Sequence, residues 1–307
     1  MTEVKTLTVA LELTEMDPSI LKYVGFLCQS LPIEKIYFLH IESNLDLPRQ
    51  LREQHPEVLK PFDESLEDRM RALVSEHLPR PAHISVDFDA LEGKVLNTLI
   101  KQANLKQTDL LVVGQHQPGG NANFSDKLAR KCPCSVLFVP QEFSLDIRNI
   151  LLPTDFSEHS ALALQHTLAL SEAVEGDTIH LLNIYDVPSG YTKLGKTYTE
   201  FDALMKTYAA EDCAAMLKAL KTGSAKLTEH YLNGEKHDRA ALIQAQLKTL
   251  DCQLLVIGSK GRTNVLALFL GSLAEQLVRM QLPVPLLVVK QPGETLGLLE
   301  AMLEADI

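Results

Sequence analysis

The residues whose types and spacing best suit chemistry lie in LLVIGSKGRTNVLALFLGSLAEQLVR, residues 254–279. An apolar run ends in Gly258, a loop carries Gly261, and a second apolar run ends in Gly271-Ser272 before a helical pattern. Glycines at Gly258-x2-Gly261-x9-Gly271-Ser272 let the backbone approach an anion, and a helix starting at Ser272 offers N–H groups to it. That chemistry is a phosphate cradle. Lys260 and Arg262 share the loop and would neutralise phosphate charge, with solvated loop cations as the alternative. Each glycine also has a plainer explanation. Gly258 can turn the chain at a strand end, Gly261 can serve a β-turn, and Ser272-Leu273-Ala274-Glu275 reads as a capping box. The combination is neither a Walker A loop nor a tight Gly-x-Gly-x-x-Gly turn.

The elements that must position this stretch alternate between strand and helix. β-rich segments at 6–13, 35–42, 83–91, 108–114 and 135–140 are separated by helical patterns near 21–31, 66–78, 93–103 and 126–131. Asp17-Pro18 opens the first helix. Strands separated by helices predict a parallel sheet covered on both faces. The order then repeats: NILLPTDFSEHSALAL from Asn149 matches the opening, TIHLLNIYD matches KIYFLHIE, and AKLTEHYLNG matches HISVDFDALEG. DCQLLVIG matches TDLLVVG, and PVPLLVV matches PCSVLFV. The offset grows from 143 at the first strand to 144 at Gly114/Gly258 and 150 at the last strand. A period that long signals two copies of an α/β open-sheet domain, not a solenoid. The expected boundaries are 1–143, 144–291 and a C-terminal tail at 292–307 with helical spacing of Leu299, Met302 and Leu303.

Bulk properties narrow the partners. At 307 residues, with 46% hydrophobic and 22% charged residues, the chain is expected to fold into two ordinary domains. A net charge of −11 opposes a phosphate backbone, so no nucleic acid is expected. No apolar run reaches the roughly 18–20 residues a bilayer demands, and the first residues lack a signal-peptide pattern, so the expectation is a cytoplasmic protein without a membrane partner. Five scattered cysteines, with Cys132-Pro133-Cys134 too closely spaced for a redox pair, read as buried free thiols.

At the level of motif, Gly258-x2-Gly261-x9-Gly271-Ser272 resembles the ATP-binding signature of universal stress proteins. The likeness extends to LLPTDFSEHSALAL and PVPLLVV and covers the chain as two consecutive domains. It implies a mostly parallel, Rossmann-like fold of the adenine-nucleotide alpha hydrolase type. It further implies an adenine nucleotide (ATP, or AMP or ADP) in the second domain, with magnesium on the phosphates left open. Pro153, Thr154 and Asp155 match the first-strand loop, whose carboxylate meets ribose hydroxyls; a carboxylate suits a diol because it only accepts. An N-cap role for Asp155, supported by Glu158, is the other reading. Ile184 and Ile257 match apolar positions that pack on adenine, and both also suit the core. Gly258, Gly261, Gly271, Ser272 and Leu273 would surround the phosphates. The resemblance also implies an intramolecular pseudo-dimer through the last strands, with a homodimer of such units left open.

The first copy departs from the pattern. Glu12 stands where Asp155 stands, Ala10-Leu11 replaces Pro153-Thr154, and Gly114 to Pro133 spans 19 residues against 25 from Gly258 to Pro283. It keeps the strand-end glycine and lacks the Gly-Ser helix entry, so it is expected to be nucleotide-free, with Gly119-Gly120 as a weak alternative nest. The later residues Gly261, Gly271 and Ser272 are then the discriminating ones. Ser157-Glu158-His159 is contiguous and does not make a triad. A regulatory nucleotide-binding module leads; an ATPase and a purely structural interaction protein are the alternatives.

Overall fold

The structure is a computed structural model that describes residues 4–44, 62–79, 81–115, 122–220, 222, 225–235, 237–261 and 270–291. They form two compact units, one ending at Glu142 and the other spanning Phe143–Gln291. The first runs β1 (Thr6–Ala10), α1 (Asp17–Ser30), β2 (Lys35–Glu42), α2 (Phe62–His77), β3 (Ser85–Glu92), α3 (Val95–Leu105), β4 (Leu110–Gly114), α4 (Ala122–Lys131) and β5 (Ser135–Val139). The second runs β6 (Asn149–Pro153), α5 (Glu158–Ala173), β7 (Thr178–Tyr185), a 3-10 turn (Ser189–Leu194), α6 (Tyr198–Ala219), β8 (Lys226–Asn233), α7 (Arg239–Thr249), β9 (Leu254–Gly258), α8 (Ser272–Arg279) and β10 (Leu286–Val289).

Both units wind the same α/β open sheet, in the order β3-β2-β1-β4-β5 and β8-β7-β6-β9-β10. The pairs within each unit are parallel, and their registers correspond. Thr6 opposes Lys35 as Asn149 opposes Thr178, and Leu7 opposes Leu110 as Ile150 opposes Leu254. Leu111 opposes Val136 as Leu255 opposes Leu286. The reason is visible in the side chains: β4 and β9 are continuous apolar runs buried on both faces, as central parallel strands must be. In the first unit α1 packs beside α2 and α3 beside α4, covering the sheet.

Several local expectations shift. The first strand stops at Ala10, not Leu13, because the chain then bends through Leu13 at φ 58°. Its counterpart Phe156 takes φ 62°, so the turn is a repeated feature of the two units. Asp17-Pro18 does open α1. The 22-residue helix α6 starts at a reciprocal capping box between Thr197 and Glu200. Gly119-Gly120 and the tail at 292–307 lie outside the described residues. Among the described residues no helix is long and apolar enough to cross a membrane.

Neighbouring strands β7 and β8 bring His180 Nδ1 within 3.0 Å of His230 Nε2, with His180 Nε2 3.3 Å from Asn149 Oδ1. Burial holds both imidazoles below the ordinary histidine range, and their mutual charge adds to the shift of His180. A neutral pair satisfies these contacts; a doubly protonated pair sets two donors against each other. A folded value below the unfolded one means stability present above about pH 6.5 and lost as pH falls towards the folded values. The melting temperature of the protein is therefore expected to fall between pH 7.5 and 5, and less steeply in His230→Asn. Equal slopes in the two proteins would refute the assignment to this pair.

Candidate functional site

In an open parallel sheet the binding crevice forms where adjacent strands send their connections to opposite sides. In the second unit that point lies between β6 and β9. A cleft of about 560 Å³ opens at their carboxyl ends, within the usual size of ligand pockets. Of the residues singled out in the sequence, Pro153, Thr154 and Asp155 reach it from β6, Ile184 from β7, and Ile257 and Gly258 from β9. Lys260, Gly261, Gly271, Ser272 and Leu273 border it from the following loop and α8. Arg262 lies outside the described residues.

Asp155 does not cap α5. The N-cap is Ser157, whose hydroxyl accepts from Ser160 N. Asp155 precedes the cap and uses Oδ1 to accept from Ser157 N at 3.1 Å and from Ser160 Oγ at 2.5 Å. Thr154 holds the same loop: its carbonyl accepts from Asn183 Nδ2 at 2.8 Å, and its hydroxyl accepts from Phe156 N at 3.1 Å. The carboxylate is thus fixed at the cleft by the protein's own hydrogen bonds. Ser157 Oγ also lies 3.2 Å from Ser160 Oγ.

The glycines divide by what surrounds them. A Cβ on Gly258 would stand 2.8 Å from the main-chain oxygen of His159, whereas one on Gly261 would stand 2.7 Å from Asp155 Oδ2. On Gly271 it would meet ordinary contacts at 3.6 Å, and the residue has φ −59°. The Gly271 N–H is spent on Ser259 O at 2.8 Å and does not face a ligand. Gly271 is also the N-cap of α8, which makes Ser272 the first helical residue and undoes the capping-box reading. No side chain caps α8. The residues carrying its first-turn amides, Ser272, Leu273 and Ala274, border the cleft, where such amides and the helix dipole favour an anion.

A family model described as Universal stress protein family matches residues 4–140 and again 146–290. The chain belongs to the universal stress protein family. Among curated relatives, Universal stress protein MJ0577 of Methanocaldococcus jannaschii is 28% identical over 162 residues, 48% of this chain and 98% of that protein. Universal stress protein E of Escherichia coli K12 is 29% identical over 171 residues, and the match spans about half of each chain, 53% in both. Among solved structures, a functionally unknown protein from Pseudomonas aeruginosa PAO1 shares the fold over 98% of both chains, with TM-score 0.65 and 18% identity. A universal stress protein from Archaeoglobus fulgidus does so over 95% of this chain and 98% of that one, with TM-score 0.58 and 18% identity.

In this universal stress protein the cleft has an outer wall that the sequence reading missed. Met205, Tyr208, Ala209 and Asp212 of α6 border it at i, i+3, i+4 and i+7, one face of the helix. That spacing in TEFDALMKTYAAEDCAAML was the available signal, but nothing local says which surface the face covers. Tyr208 stays 48% exposed at the rim. At the mouth, Asp186 after β7 pairs with Arg239, the first residue of α7, whose N-cap is Asp238. Burial and the Asp202 carboxylate push the neighbouring Tyr185 hydroxyl up to about 12, so it stays protonated. All five cysteines are buried and none is in a disulfide, and burial pushes the Cys252 thiol up to about 12, away from thiolate chemistry.

Proposed function

We propose that the second domain binds an adenine nucleotide, ATP ahead of AMP or ADP, and that occupancy of this cleft regulates the protein in a stress response. The observation that carries the reading is the uncapped start of α8 in the same cleft as the fixed Asp155 carboxylate. The two ends suit opposite parts of one ligand: amides for phosphate, a pure acceptor for the ribose diol. Ile184, 8% exposed, and Ile257 supply apolar surface for a base. Lys260 adds a cation to the phosphate end. Among the described residues no cluster of three His, Cys, Asp or Glu side chains stands ready for a metal ion, so magnesium would arrive on the nucleotide's phosphates.

Native mass spectrometry of the purified protein is expected to show one adenine nucleotide per chain. Added ATP at a hundred times its Kd should stabilise the binding domain by about 2.7 kcal/mol, read as a rise in melting temperature. Two nucleotides per chain would remove the assignment of binding to the second domain alone. No bound nucleotide and no thermal shift would favour the structural interaction protein.

A further inference from the structure

We propose that Ser160 is the positioning residue for ribose recognition: its hydroxyl sets the Asp155 carboxylate, and the first domain carries Asp17 in its place. The inference rests on the adenine-nucleotide reading of the same cleft and assigns a role inside it.

Ser160 is the third residue of α5 and is buried. Its Oγ donates to Asp155 Oδ1 at 2.5 Å and accepts from Asp155 N at 3.3 Å, with Ser157 Oγ at 3.2 Å. A hydroxyl has one donor and two acceptor sites, and these three contacts use them all. One side chain therefore ties the amide and the carboxylate of the same residue, which holds the Asp155 rotamer against its own backbone. The other carboxylate oxygen, Oδ2, is the atom that lies over Gly261. Substituting an alanine at position 160 would leave the Ser157 cap of α5 in place, because that cap uses the Ser160 main-chain N–H.

The first domain provides the comparison. At the 143-residue offset Glu12 corresponds to Asp155, Leu13 to Phe156 and Asp17 to Ser160. The backbone bends the same way in both copies, with φ 58° at Leu13 and 62° at Phe156. Asp17 is fully buried and accepts from Glu12 N at 3.1 Å and Leu13 N at 2.7 Å. It thereby serves the amide that Ser160 Oγ serves in the second domain. An ionised carboxylate only accepts, so Asp17 cannot donate to Glu12 as Ser160 donates to Asp155, and the two charges repel. Burial pushes the Asp17 carboxyl up, and the Glu12 charge pushes the same way against the loop amides. The same loop position thus carries a hydrogen-bond donor in the second domain and an acid in the first.

Ser160→Ala in the full chain is the test, with ATP and 2′,3′-dideoxy-ATP as probes and hydrogen exchange on the ligand-free protein as a second readout. Wild type is expected to prefer ATP, and the variant to lose about tenfold in ATP affinity, the scale of one hydrogen bond, with under about twofold lost for the dideoxy analogue. The Ser157 amide, which donates to Asp155 Oδ1 and not to Ser160, is expected to exchange faster in the variant. Equal losses for both nucleotides, or unchanged Ser157 exchange, would overturn the positioning role. A wild type that binds both probes equally defeats ribose recognition while leaving nucleotide binding standing. A wild type that binds neither defeats the nucleotide reading itself, and Ser157 exchange still decides whether Ser160 holds Asp155.

Discussion

Gly261→Ala is expected to leave the second domain folded and to weaken ATP binding roughly 10- to 100-fold, the worth of one hydrogen bond to a charged group. The added Cβ would stand 2.7 Å from Asp155 Oδ2, a separation that real side chains do not tolerate. The atom it strikes is the end of a side chain, so the carboxylate can swing aside at little cost to the fold. Its swing breaks the contacts from Ser157 N and Ser160 Oγ that fix it at the cleft. Calorimetric titration of wild type and variant with ATP measures the loss, and a melting curve checks that the fold is intact. Unchanged affinity would show that the carboxylate does not meet the ligand.

Gly258→Ala is expected to do the reverse, harming stability before it harms binding. Here the added carbon would lie 2.8 Å from the His159 main-chain oxygen and 2.9 Å from its carbonyl carbon. Backbone cannot rotate away, so β9 and the first turn of α5 must separate. Overpacking of this kind costs roughly 1–3 kcal/mol, and a domain of this size loses about 2–4 °C in melting temperature per kcal/mol. Gly114→Ala offers the control. The same carbon there meets the flexible Met16 side chain at 2.7 Å, which can move, so its effect should be smaller. Equal losses at the two positions in thermal melts would contradict this account. The strand-end glycine is thus a requirement of the fold in both copies but a stricter one in the second, where a helix backbone lies against it.

These two glycines show what was legible in advance. The motif spacing pointed to Gly258, Gly261, Gly271 and Ser272 together, and the first copy singled out the last three. The structure divides that group again. Gly261 guards the carboxylate, Gly271 has room for a methyl group and spends its amide on Ser259, and Ser272 begins an uncapped helix. Asp155 read equally well as a cap, and only the hydrogen bonds gave the cap to Ser157. The α6 wall escaped notice because an amphipathic helix declares a buried face without naming what lies under it.

What the sequence determined by itself is the part carried by periodicity and repetition. Alternating apolar strands and helices, copied at an offset of 143 to 150 residues, specify two α/β domains with parallel open sheets; the strand order that puts the switch point between β6 and β9 came from the structure. That part is local, because pleat, helix period and burial pattern are written in neighbouring residues. What only the tertiary structure decided are the contacts between segments far apart in the chain. Gly261 against Asp155, Gly258 against His159 and Asn183 against Thr154 each depend on ångström-scale approach between separate segments of the chain. Spacing along a sequence has no access to those distances, and they separate the glycine that lies against the Asp155 carboxylate from the one that lies against a helix backbone.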